Sequence, residues 1–120
     1  NHKAYGNRGN LNDLRGDLQQ ALDDYNRALA LAPDYETVYG NRAGTLLKLK
    51  RFNEALSDIN IAIAATPQNP ALYAIRADIY VGLNRYAEAF HDANTAQQLG
   101  KPVNPDFIRM LQQRVAAPPR

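Results

Sequence analysis

Apolar residues in the middle of the chain recur with helical spacing. Tyr39, Ala43, Leu46, Leu47 and Leu49 form one stripe, a polar Lys50-Arg51 turn follows, and Ala55, Leu56, Ile59, Ala62 and Ile63 form a second stripe that stops before Pro67. Side chains three and four positions apart share a helix face, so the pattern predicts two amphipathic helices joined by a short turn. No segment alternates apolar and polar residues as a half-buried strand does, and the chain is expected to be all-α. The punctuation agrees. Gly16 closes the first helix, Asp17 with Gln20 forms a candidate capping box for the second, Asn69-Pro70 starts the fifth and Gly100 ends the sixth.

The pattern repeats. Tyr5, Tyr39 and Tyr73 are spaced by 34 residues, and so are Arg8, Arg42 and Arg76; Ala21, Ala55 and Ala89; Asp24, Asp58 and Asp92; Asn26, Asn60 and Asn94; Ala28, Ala62 and Ala96. Self-similarity at one fixed period of this size denotes a stacked array of a single supersecondary unit. The small residues Gly9, Ala43 and Ala77 in the first helices, with Ala21, Ala55 and Ala89 in the second, let paired helices approach closely.

This spelling resembles the tetratricopeptide repeat. That signature has an early aromatic, a small residue four positions on, Ala, an aromatic and Ala in the second helix, and a closing Pro. The first unit supplies Tyr5, Gly9, Ala21, Tyr25, Ala28 and Pro33; the second Tyr39, Ala43, Ala55, Ile59, Ala62 and Pro67; the third Tyr73, Ala77, Ala89, Ala93 and Ala96, with Lys101 in place of the Pro. The resemblance implies a right-handed α-solenoid of three helix-turn-helix units, at about 2–35, 36–69 and 70–103, in one domain spanning about 1–116. A seventh helix at about 105–115 replaces the repeat's Arg by Met110 or Leu111 and reads as a cap, with Phe107, Ile108, Leu111 and Val115 covering the third unit and Arg109, Gln112, Gln113 and Arg114 facing water. A Pro-rich tail, 117–120, follows.

Each repeated Arg has an Asp 16 residues later, so Arg8 with Asp24, Arg42 with Asp58 and Arg76 with Asp92 are expected to form ion pairs within each helix pair. In the family that the chain resembles, the first helices line a concave groove that holds a peptide. The resemblance places Lys3, Asn7, Asn10, Thr37, Asn41, Lys48, Ile75, Asp78 and Val81 on that face. An amide there carries a donor and an acceptor, the pair needed to read a peptide backbone, which singles out Asn7, Asn10 and Asn41. Gly6, Gly40 and Ala74, just before the inward residues, read as room for another chain. One subgroup grips the terminal carboxylate of chaperone tails with a five-residue clamp. Lys3, Asn7 and Asn41 match three of its positions, while Ala71 and Ile75 stand where the two third-repeat cations would be. The groove is thus amide-rich at one end and apolar at the other, suited to a segment ending in an apolar side chain.

Composition adds limits. With 120 residues, 45% apolar and 22% charged, the chain has the balance of one ordinary domain. No apolar run approaches the roughly 20 residues that span a bilayer. A net charge of +2 is small, and the groove's Lys3 and Lys48 are offset by Asp13 and Asp78, which argues against nucleic acid. There is no cysteine, and neither a metal-ligand set nor a phosphate-binding glycine loop appears, so no cofactor or metal is expected. Asp23, Ser57 and His91 occupy equivalent repeat positions, of order 10 Å apart and too far for a triad; no enzyme is expected. Beginning at Asn1, without an initiator Met or a signal peptide, the chain reads as a piece of a longer or processed protein that does not carry its own targeting information, and localisation stays unknown. The expected partner is another protein, bound through a peptide segment. The alternative is self-association through the convex face or the capping helix, whose Met110 and Leu111 side lacks a covering helix.

Overall fold

Seven helices follow one another: α1 (His2–Arg15), α2 (Leu18–Leu31), α3 (Glu36–Lys48), α4 (Phe52–Ala65), α5 (Pro70–Gly82), α6 (Tyr86–Gln98) and α7 (Pro105–Ala116). The computed structural model describes residues 1–116, among which there is no strand; the Pro-rich tail at 117–120 lies outside the described residues. α1 packs on α2, α3 on α4 and α5 on α6. The three hairpins stack in chain order and α7 packs on α6, giving an elongated α-solenoid of 50 × 28 × 22 Å. α3 also touches α1 and α5, so these three first helices lie side by side along one face.

Helix ends follow local chemistry. Asn1 Oδ1 accepts from the backbone N–H groups of Lys3 and Ala4 at 3.0 and 3.3 Å, and Asn69 caps α5 ahead of Pro70. The turn between paired helices uses a left-handed residue in every unit: Gly16 at φ 86°, Lys50 at 60° and Asn84 at 59°. The capping box expected at Asp17 and Gln20 does not form. The Asp17 side chain makes no cap hydrogen bond, and Gln20 Nε2 donates instead to Asp24 Oδ1 at 3.2 Å, drawn to a buried carboxylate.

Small residues bring the backbones together. Ala21, Ala43, Ala55, Ala77, Ala89 and Ala96 are all within 1% of complete burial. The capping helix inserts Leu111, completely buried, against Ala77, Ala89 and Ala93, with Phe107, Ile108 and Met110 half-buried around it. Val115 differs from expectation: in the last turn of α7 it has passed the edge of the third unit and stays 47% exposed, while Met110 takes a packing role. The open Met110–Leu111 side on which self-association was premised is therefore largely covered within the chain.

Candidate binding groove and its supporting charge network

The arginine column ties the array together. Arg42 Nε and Nη2 donate to the two Asp58 carboxylate oxygens at 2.6 and 2.9 Å, and Arg76 does the same to Asp92 at 2.7 and 2.8 Å. The third nitrogen reaches backwards. Arg42 Nη1 donates to Asn26 Oδ1 at 2.9 Å and Arg76 Nη1 to Asn60 Oδ1 at 3.0 Å, so each arginine bridges two repeats. Tyrosine does likewise: Tyr39 O–H donates to the Pro33 carbonyl at 2.9 Å and Tyr73 O–H to the Pro67 carbonyl at 2.8 Å. In the first unit Arg8 Nε and Nη2 both donate to Asp24 Oδ1, at 3.0 and 2.7 Å, while Asn12 Nδ2 donates to Oδ2 at 2.8 Å. Hydrogen bonds from Arg8 first, then Asn12 and Gln20, hold the Asp24 carboxyl below the usual aspartate range despite its burial.

These bonds tie each helix pair together and to the next, with α1, α3 and α5 side by side along one face. A cavity of about 300 Å³ opens on it, with Asn10, Asp13 and Leu14 on one side, Gly40, Asn41 and Gly44 at its base and Ile75 on the other side. The glycines differ. A β-carbon at Gly6 would lie 3.2 Å from Tyr35, and one at Gly40 3.2 Å from Leu72, so their space is filled by the chain's own packing and is not left for a ligand, as the sequence had suggested. A β-carbon at Gly44 meets nothing within 4 Å. Of Gly6, Gly40 and Gly44, that glycine alone leaves vacant space.

The residues picked from the sequence separate into groups. Asn10, Asn41 and Ile75 converge on this cavity, although Asn10 Oδ1 already accepts from Tyr25 O–H at 2.7 Å. Burial first, and the nearby Asp13 charge second, push that phenol up to about 12. Asn41's side-chain amide makes no hydrogen bond to any described residue. Lys48 Nζ pairs with Asp13 Oδ2 at 2.7 Å, and Thr45 Oγ1 donates to Asp13 Oδ1, so the Lys48 charge is neutralised across two repeats. Lys3 and Asn7 stand exposed on α1 outside the cavity, and Thr37 lines a neighbouring one of about 180 Å³ with Asn41. Asp78 sits in a third, of about 190 Å³, beside Val103 and Phe107; much of it stays exposed, yet the cavity walls desolvate the carboxyl and raise its pKa. Val81 packs against the core under α7. Sequence reasoning missed Leu14, which is 81% exposed on the groove wall, and the Asn26 and Asn60 bridges, whose spacing of 16 from the following Arg equals the Arg–Asp spacing.

The tetratricopeptide repeat family model matches residues 2–35, the first helix pair. The first such domain of Spaghetti (RPAP3), bound to the HSP90 peptide SRMEEVD, is 26% identical, with a TM-score of 0.87 over 97% of this chain and 94% of that one. The chain has the fold of a tetratricopeptide-repeat domain. The corresponding domain of Arabidopsis OM64 is 27% identical at a TM-score of 0.83, covering 96% and 93% of the two chains. The TPR2B domain of yeast Sti1, solved as a complex with pHsp70, is 27% identical at 0.76, covering 94% and 91%. A search of curated proteins gives no match. Tetratricopeptide-repeat architecture is that of a protein-interaction module, and this chain presents one. No helix among the described residues is long and apolar enough to cross a membrane.

Proposed function

We propose that this domain binds a peptide segment of a partner protein in the concave groove of α1, α3 and α5, and acts as an adaptor with no catalytic step of its own. The observation that carries the reading is the vacant space above Gly44, bordered by the free Asn41 amide and by the apolar side chains Leu14 and Ile75. An amide can pair with both the N–H and the C=O of an extended backbone, while the apolar walls receive one side chain.

Two similar domains were solved with protein ligands, one with the HSP90 peptide and one with pHsp70, which supports a polypeptide as the occupant. The chemistry selected here differs from a carboxylate clamp. Positions 71 and 75 are Ala and Ile, and Lys48 is neutralised by Asp13, so an apolar side chain rather than a cluster of acids is the expected anchor. The test is to pan displayed random peptides against the domain and measure the selected ones by calorimetry on wild type, Asn41→Ala and Gly44→Leu. Selected peptides should share an apolar anchor and lose affinity on both variants; equal binding to all three proteins would remove the groove from consideration.

A further inference from the structure

Between the first two repeats, on residues the groove does not use, lies a second cavity of about 370 Å³. Leu22 and Asn26 of α2, Arg42 and Leu46 of α3, and Arg51 at the start of α4 enclose it. One repeat further on, the residues equivalent to Arg42, Leu46 and Arg51 are Arg76, Tyr80 and Arg85. There the phenol ring stands against both guanidinium groups, with its centroid 5.8 Å from Arg76 Cζ and 4.8 Å from Arg85 Cζ. The acids match as well: Arg76 pairs with Asp92 and Arg85 with Glu88, as Arg42 pairs with Asp58 and Arg51 with Glu54. The second junction therefore carries an aromatic ring where the first has Leu46 and open space.

We propose that this cavity is a docking site for an aromatic side chain, tyrosine by the chain's own precedent, carried on a partner polypeptide. Charge excludes the obvious alternative. Asp58 and Glu54 line the same cavity and occupy the in-plane donors of both arginines, so a carboxylate or phosphate would meet acids and find few free N–H groups. What remains available is the Arg42 face turned away from Tyr39 and the half-exposed Arg51 guanidinium, both of which attract an aromatic ring, above a floor of the nearly buried Leu22 and Leu46. Gln19 and Ser57 at the exposed rim offer oxygen acceptors to a phenol O–H. A ring entering from the solvent side leaves its own backbone outside, which is the geometry of a residue projecting from another chain.

The experiment is an NMR titration of the labelled domain with p-cresol and with N-acetyl-tyrosinamide, read at the Arg51 Nε–H and at the Leu22 and Leu46 methyl groups. Both probes should give saturable shifts there, the amide binding at least as tightly as p-cresol. Leu46→Tyr, which supplies the ring from within, should melt no lower than wild type and bind both probes about tenfold more weakly. If that variant does not fold, Ser57→Trp at the rim serves as the blocking variant. Absence of saturable shifts, equal shifts in wild type and blocked protein, or tighter binding of p-cresol than of the amide would each overturn the assignment, the last by pointing to a free small phenol.

Discussion

The ring of Tyr25 fills the space that a β-carbon on Gly9 would need. Such a carbon would lie 2.6 Å from Tyr25 Cε1 and 2.7 Å from Cδ1, and the ring, only 1% exposed, has nowhere to go. The other repeats solve the same contact differently, with Ala43 in the Ile59 unit and Ala77 in the Ala93 unit.

A double-mutant cycle follows from that contact. Gly9→Ala improves helix propensity by about 1 kcal/mol but overpacks a rigid core, with a typical cost of about 1–3 kcal/mol, so the single variant should melt lower. Introduced into Tyr25→Ile, which reproduces the second repeat's pairing, the same Gly9→Ala change should be neutral or stabilising by up to about 1 kcal/mol. Urea denaturation of the four proteins measures the coupling. Additive effects would mean that the Tyr25 ring yields.

The three arginines should differ in worth. Asp58 is nearly buried and receives side-chain hydrogen bonds from Arg42 alone among the described residues, so Arg42→Ala strands a carboxylate and also breaks the bridge to Asn26. A loss of about 3–5 kcal/mol is expected for that variant. Arg8 is 52% exposed, and its partner Asp24 keeps Asn12 and Gln20 as donors. Solvent screening and the remaining donors should make Arg8→Ala clearly less damaging than Arg42→Ala. Chemical denaturation that ranks Arg8→Ala as the more damaging would contradict this account.

The helices and their period were legible because they rest on local spacing, and a 34-residue repeat of Tyr, Arg and Ala leaves few folds to choose from. The groove was legible only as a face. Gly6, Gly40 and Gly44 look alike in sequence, yet Tyr35 and Leu72 fill the space beside the first two and nothing fills it beside the third. Which neighbour enters such a space is decided by the stacking of repeats, about which a residue's own column is silent. Asn26 illustrates the same limit: its column is visible, but its partner Arg42 belongs to the next unit. The capping box at Asp17 failed for a related reason, since the buried Asp24 carboxylate competes for Gln20.

Two aspartates should give opposite pH signatures. The folded-state pKa of Asp24 is lowered, so its contribution to stability is present above the unfolded value of about 3.9 and is lost as pH falls through the folded value. Asp24→Asn should therefore melt well below wild type at pH 7, with the gap narrowing in acid. Asp78 has a raised pKa from desolvation, so its ionised form disfavours folding at neutral pH and that cost disappears below the unfolded value. Asp78→Asn should melt at or slightly above wild type at pH 7 and match it near pH 3, within roughly a unit of the ordinary aspartate pKa. Melting curves across that range check both signs.

Gly44 separates the groove from the fold. Its backbone is helical and a β-carbon there meets nothing within 4 Å, and replacing a mid-helix glycine recovers about 1 kcal/mol of helix propensity. Gly44→Leu should accordingly melt at or above wild type while placing an isobutyl group between Leu14, Asn41 and Ile75, where the ligand's apolar side chain is proposed to enter. A stabilised variant that has lost at least about tenfold in affinity for a selected peptide would assign binding to the groove without any confounding loss of structure. Retained affinity would move the peptide to another surface, and because the cavity between α2 and α4 shares no residue with Gly44, aromatic probes there should bind this variant unchanged.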